Sequence, residues 1–275
     1  MAKYTFRGLM MLGENNKVTV VTVCYNAATV IEETILSVLS QNYQSMEYIV
    51  IDGGSTDGTV DIIKKYSDRI AYWVSEPDGG IYYAMNKVVE HATGDYVNFM
   101  NAGDTFFDSN VLKDIFYRKL YTEDVIYGSN LCRYSGGYKS HHPAGFEVLD
   151  KAMPFCHQSS FTRTDVLRAY PFDTDYRRVA DYVFFRRLYE RGGSFRRVDK
   201  YICVYDEYGI SSNITLDYYF ELCRAFGWKA SMKEYLKYCM FNRMKSLRYC
   251  RLRFLISSYQ KPGKYQLHPK GFKQM

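Results

Sequence analysis

Four times in its first hundred residues this chain runs short, apolar and β-branched, and after each of the first three runs a helical pattern follows. Val18-Thr19-Val20-Val21-Thr22-Val23 has the pattern of a strand buried on both faces. From Ala28 to Ser40 the spacing puts Ile31, Ile35, Val38 and Leu39 on one helical face. Tyr48-Ile49-Val50-Ile51 is the second run, stopped by Asp52-Gly53-Gly54; Thr56 or Asp57 can cap the helix carried by Val60, Ile62 and Ile63. Ile70 to Val74 is the third, followed by a helix from Gly80 to His91, and Tyr96 to Met100 is the fourth. A β-α-β-α-β-α-β order with short links predicts an α/β fold, a parallel sheet with helices on both faces. Open sheets of this kind bind ligands at the carboxyl ends of their strands.

Past residue 104 the pattern loosens. The spacing predicts helices over Val111–Leu120, Phe161–Tyr170 and Asp181–Arg191, a short strand over Val125–Tyr127 and a last strand over Phe195–Val204. Ser135 to Pro154, rich in Gly, Pro and His, reads as irregular or hairpin structure. From Leu216 onward the chain reads as a helical extension. The seven cysteines are scattered and odd in number without a C-x-x-C pair, which argues against a disulfide framework or a zinc site and for a reducing, cytoplasmic compartment. There is no signal-peptide pattern and no apolar run of the ~20 residues a spanning helix needs.

Charge is unevenly placed. Arg224 to Met275 holds 13 Lys and Arg against one acid, Glu234, so the residues before it are net acidic although the chain is +6 as a whole. Lys229, Lys233, Lys237, Arg243, Lys245, Arg248, Arg251 and Arg253 alternate with Trp228, Tyr235, Tyr238, Phe241, Tyr249 and Phe254. A basic amphipathic helix of this kind fits an anionic membrane surface, on the inner face of the cell membrane, or else an acidic face of its own protein. No nucleic-acid module accompanies it.

Three strand ends carry the chemistry. Asp52-Gly53-Gly54-Ser55-Thr56-Asp57-Gly58-Thr59 lets the backbone, at Gly54 in particular, approach a ligand closely, and equally suits a strand-to-helix turn with a capping Asp. Asp78-Gly79-Gly80 stands after the third run, with Asn86 on the helix that follows. Asn101-Ala102-Gly103-Asp104 closes the fourth, where a carboxylate can hold a divalent metal and where the same residues make a good turn. Neither G-x-G-x-x-G nor G-x-x-x-x-G-K-[ST] occurs, which disfavours dinucleotide dehydrogenases and P-loop nucleotidases.

Taken with Val20 to Asn26 and Ala92-Thr93-Gly94-Asp95, these segments resemble glycosyltransferase family 2, enzymes of GT-A fold. The resemblance is strong over the first two-fifths of the chain and continues weakly to about Asn213. It implies a GT-A domain over residues 1–215, with a donor half at about 17–105 and an acceptor half at about 106–215, then the extension over 216–275. It implies that Thr22, Tyr25, Asn26, Asp52, Gly54, Asp78, Asn86 and Asn101 bind the donor, a nucleoside-diphosphate sugar with UDP favoured. His157 and Gln158 of Cys156-His157-Gln158-Ser159-Ser160-Phe161 would border the acceptor, a glycan or a polyprenyl-linked glycan. The turn at 101–104 holds the family's D-x-D position with Asn101 and Gly103 in place of two acids, leaving Asp104 as the ligand for Mg²⁺ or Mn²⁺. Asp181, in Val179-Ala180-Asp181-Tyr182, matches the family's general base, with Ala180 where an acid is usual; from the residues alone Asp181 is equally an N-cap. The reaction implied is single-sugar transfer with inversion. A processive synthase is disfavoured by the absence of Q-x-x-R-W and of spanning helices, and a nucleotidyltransferase by the lack of a basic Gly-rich loop. A non-catalytic sugar-nucleotide or membrane-binding protein is the alternative that the altered turn keeps open.

Overall fold

The computed structural model describes residues 15–149, 152–206 and 215–240. These contain a nine-stranded sheet. Its parallel half is β1 (Val18–Cys24), β2 (Met46–Asp52), β3 (Tyr72–Ser75) and β4 (Tyr96–Phe99), in the order β3-β2-β1-β4. β1 lies at its middle with every residue buried, the reason its sequence is apolar without alternation. The links are helices: α1 (Ile31–Leu39), α2 (Thr59–Lys65) and α3 (Ile81–His91). Ile31, Ile35 and Val38 of α1 are fully buried against the sheet, as their spacing predicts. Because these strands run in one direction, Cys24, Asp52, Ser75 and Phe99 end on one edge, and the turns that follow them lie there too.

The second half is mixed. β5 (Thr105–Phe106), β6 (Val125–Tyr134), β7 (Gly137–His141), β8 (Ser160–Arg163) and β9 (Phe195–Asp206) continue the sheet from β4 as β8-β6-β9-β5, with β7 a hairpin on β6. β8 is antiparallel to β4 and to β6, whereas β6 and β9 are parallel. Short helices α4 (Val111–Phe116) and α5 (Thr164–Ala169) and the longer α6 (Ala180–Glu190) flank it. Phe116 and Phe161, both fully buried, meet edge to face at 5.0 Å and join the two halves into one core.

Several boundaries differ from expectation. The strand expected over Val125–Tyr127 extends to Tyr134. Its polar residues Ser129 and Asn130 are buried, and its register with β9 shifts there, so neither alternation nor an apolar run marks it. Phe161 begins no helix: residues 160–163 pair with β4 and β6, and α5 starts only at Thr164. α4 ends at Phe116 rather than Leu120, with Arg118 at positive φ. The chain divides into two compact units, residues 1–212 and 213–275. In the second, α7 (Leu216–Phe226) is capped by Thr215 at its start and by left-handed Gly227 at its end. Of the basic and aromatic residues of the tail, Phe241 and those beyond it lie outside the described residues.

Candidate active site

The turns after β1 and β2 are laced to each other. Asn26, at φ 47, accepts from Thr56 N at 3.0 Å, and its own N–H reaches Ser55 Oγ at 2.7 Å. Asp57 accepts from Ala28 N at 3.0 Å and from Thr59 N at 3.1 Å, so it closes the start of α2 from one residue before left-handed Gly58. Asp52 is completely buried. Its Oδ2 accepts from Gly54 N, Ser55 N and Ser75 Oγ at 3.1, 2.9 and 2.6 Å, and Oδ1 from Ser55 Oγ and Cys24 Sγ. Burial pushes its pKa up, but the bonds from Ser55 and Ser75 outweigh this and hold the carboxyl below its usual range. Asp52 therefore shapes the glycine loop from beneath. Gly54, at φ +84, packs against Pro77, and a side chain there would be strained.

At Gly53 the loop meets its neighbours. A Cβ there would stand 3.2 Å from Asp78 Oδ2 and 3.4 Å from the Tyr25 ring, so these three line one wall. Asp78 Oδ1 accepts from Gly80 N at 2.8 Å, orienting the carboxylate at the start of α3. Tyr25 is 66% exposed, a flat ring open to a ligand. Thr22 is fully buried instead, donating to Met100 O and paired with Tyr48 Oη, both at 2.8 Å. Asn86 instead exchanges two 2.9 Å bonds between its amide and the backbone of Phe172.

The turn after β4 is held from three sides. Thr34 Oγ1 on α1 accepts from Gly103 N at 2.9 Å and donates to Asp104 O at 2.8 Å. Arg133, at the end of β6, donates to Gly103 O at 3.1 Å and pairs with Glu33 and Asp206. Asp104 is 7% exposed, accepting from Gln158 Nε2 at 3.0 Å and from Asp206 N at 3.3 Å. Burial pushes its pKa up to about 7 against these bonds. In the same turn the Asn101 side-chain oxygen is buried with no hydrogen-bond partner. A costly buried carboxylate beside an unsatisfied oxygen suits a hard divalent cation. Among the described residues no three His, Cys, Asp or Glu side chains converge on one point, so the protein's share of such a site is small.

Asp181 lies in the first turn of α6 but caps nothing; Val179 is the capping position and has no side-chain bond. Its side chain is 24% exposed. Tyr82 Oη of α3 donates to Oδ1 at 2.8 Å, while His157 Nδ1 stands 3.9 Å from Oδ2, beyond hydrogen-bond reach. His157 is packed among Phe99, Phe172 and Phe185, and burial lowers its pKa although Asp181 pulls the other way. Gln158, its neighbour, is the residue bonded to Asp104, so this turn touches both carboxylates.

Residues 19–193 match the family model described as glycosyl transferase family 2. This chain belongs to that family. It is 32% identical over 212 residues to the uncharacterized glycosyltransferase Rv1514c of Mycobacterium tuberculosis, covering 71% of this chain and 77% of that protein. S. aureus TarS 1–349, solved with UDP-GlcNAc, superposes with a TM-score of 0.61 at 20% identity over 76% of this chain and 65% of that one. The mannosyltransferase PcManGT of Pyrobaculum calidifontis, solved with GDP-Man and Mn²⁺, gives 0.54 at 23% identity over 73% and 63%. The fold is thus GT-A, and the family 2 chain is a transferase enzyme. The matched stretch holds every predicted site residue from Thr22 to Asp181. Sequence reasoning missed Tyr82, Arg133 and Asp206. Asp206 ends a strand as Asp52 does, a signal within reach; Tyr82 and Arg133 carry none, since each acts on a partner distant in the chain.

Proposed function

We propose that this family 2 glycosyltransferase moves a single sugar from a nucleoside-diphosphate sugar, UDP-linked in the first instance, to a hydroxyl of a glycan or lipid-linked glycan, with inversion at the anomeric carbon. The observation that carries the reading is Asp181, a partly exposed side chain with one oxygen held by Tyr82 and the other, among the described residues, without a hydrogen-bond donor in reach. Asp181 takes the acceptor's proton as the oxygen bonds to the anomeric carbon and the bond to the diphosphate breaks on the opposite face. Tyr25, Asp78 and the backbone at Gly53 and Gly54 form the nucleoside wall; Asp52, Thr22 and Asn86 set its shape from behind. Asp104 and Asn101 would hold Mg²⁺ or Mn²⁺, which when bound offsets the charge of the departing diphosphate. The UDP-GlcNAc of TarS and the GDP-Man and Mn²⁺ of PcManGT support a nucleotide-sugar donor on this fold.

A calorimetric panel of UDP, GDP, dTDP and CDP, each with and without Mn²⁺, tests the donor side. Micromolar, metal-strengthened binding of one nucleotide is expected, and binding of none would sink the reading. Asp181→Asn is expected to lower turnover about 10²–10⁴-fold with nucleotide affinity retained. Unchanged turnover would remove Asp181 as base, and nucleotide binding without turnover in the parent protein would favour the non-catalytic alternative.

The C-terminal unit supports a peripheral place on an anionic membrane. Residues 232–240 are helical, with Met232, Leu236 and Met240 55–63% exposed at four-residue spacing. Lys229, Lys233 and Lys237 repeat at the same interval beside them. No helix of the described residues is long and apolar enough to cross a membrane.

A further inference from the structure

Helix α3 starts in the donor loop and ends its contacts on the base. Asp78 fixes Gly80 N, the residue before the helix. Two residues on, Tyr82 is 6% exposed, its ring 5.6 Å from Phe172 and its hydroxyl 2.8 Å from Asp181 Oδ1. One turn further, Asn86 grips the Phe172 backbone through both atoms of its amide. The helix is thereby clamped at two successive turns to the segment that leads into α6, which carries Asp181.

We propose that Tyr82 is the positioning residue of the base: its hydroxyl fixes Asp181 Oδ1 so that Oδ2 is presented to the acceptor hydroxyl, and helix α3 ties that setting to the donor loop. The proposal rests on Asp181 being the base. A phenol suits the task because it donates one directed bond without bringing an opposite charge that would weaken the carboxylate as a proton acceptor. Among the described residues, the groups facing Asp181 from the elements packed on it are Tyr82 of α3 and His157 of the turn before β8. His157 is the competing partner. At 3.9 Å it stands just beyond hydrogen-bond reach of the carboxylate, and a bond there would occupy Oδ2, the oxygen the acceptor needs.

Tyr82→Phe keeps the packing ring and removes the bond. In the full chain, nucleotide release is measured from UDP-glucose, UDP-galactose, UDP-N-acetylglucosamine and GDP-mannose, whichever is turned over fastest. The expected result is a kcat about 10- to 100-fold lower, with donor KM within about twofold and an unchanged melting temperature. Against an Asp181→Asn background the same substitution is expected to cost nothing further, because a residue acting through Asp181 has nothing left to position. Wild-type kcat in Tyr82→Phe, or penalties that multiply in the double variant, would overturn the proposal. Wild-type kcat in Asp181→Asn would overturn the base assignment instead, so the two failures are distinct. If no donor in the panel is turned over, a crystal structure of Tyr82→Phe decides: the carboxylate is expected to swing within hydrogen-bond reach of His157, and an unmoved carboxylate would overturn the proposal.

Discussion

Three aspartates at one sheet edge have three different surroundings, and these assign different work to the same side chain. Asp52 is buried but surrounded by donors, so it stays ionised and rigid. Asp181 is partly exposed, with one oxygen held by Tyr82. Asp104 is nearly enclosed with few donors, and its pKa rises from the usual 3.8 to about 7. For a raised carboxyl the sign is clear: below about pH 4 both folded and unfolded chains hold the proton and nothing is lost. Between about pH 4 and 7 the unfolded chain releases it first, so stability of the ligand-free protein falls as pH rises through that window. Asp104→Asn is expected to remove this decline, stabilising the ligand-free protein at pH 8 by on the order of 2–4 kcal/mol and leaving it little changed at pH 4. Thermal melts at the two pH values check it; equal shifts at both would sink the argument. The same variant is expected to weaken nucleotide binding in Mn²⁺ at least about tenfold.

At the scale of elements, α1 acts as a ruler for the turn after β4. Thr34 is fully buried and bonds both Gly103 N and Asp104 O, so the helix fixes the height of the turn above the sheet. Thr34→Val is nearly isosteric and leaves one buried donor and one buried acceptor unpaired. A stability loss of about 1–3 kcal/mol is expected, along with weaker metal-dependent nucleotide binding. Denaturant unfolding with calorimetry measures both, and full nucleotide affinity would show that the turn needs no such ruler. The parallel elements were legible in the sequence because their strands are mostly apolar or β-branched and their helices have a regular inward face. Only the first three residues of β6 were, because Gly128, buried Ser129 and buried Asn130 interrupt it at the register shift. β8 was misread as helix since residues 160–163 are short, and only pairing to both β4 and β6 makes them strand.

For the whole molecule, charge and compactness divide the chain at nearly the same place. Residues 1–212 form one unit and 213–275 another, while 13 of the 36 basic residues fall after position 223. Under the proposed membrane reading, their attraction to an anionic surface would be electrostatic and therefore sensitive to salt. The full chain is expected to sediment with phosphatidylglycerol vesicles at 50 mM salt, to be released at 500 mM, and to ignore phosphatidylcholine vesicles. A chain ending at Ser212 is expected to lose vesicle binding and keep nucleotide binding. Salt-independent sedimentation, or none, would remove the membrane reading.

The sequence by itself determined the parallel half of the sheet and put a carboxylate or a glycine at its strand ends, because both follow from apolar runs and turn chemistry only a few residues long. It also marked the basic tail. Only the tertiary structure decided which carboxylate is sealed, which is braced by many donors and which is partly exposed and held by one tyrosine. Tyr82 and Asp181 are 99 residues apart, and Asp104 and Asp206 are 102 apart. Such pairs leave no local pattern. They come into being when the mixed half of the sheet folds back along β4 and brings α6, β6 and β9 to the edge where β1 to β4 end.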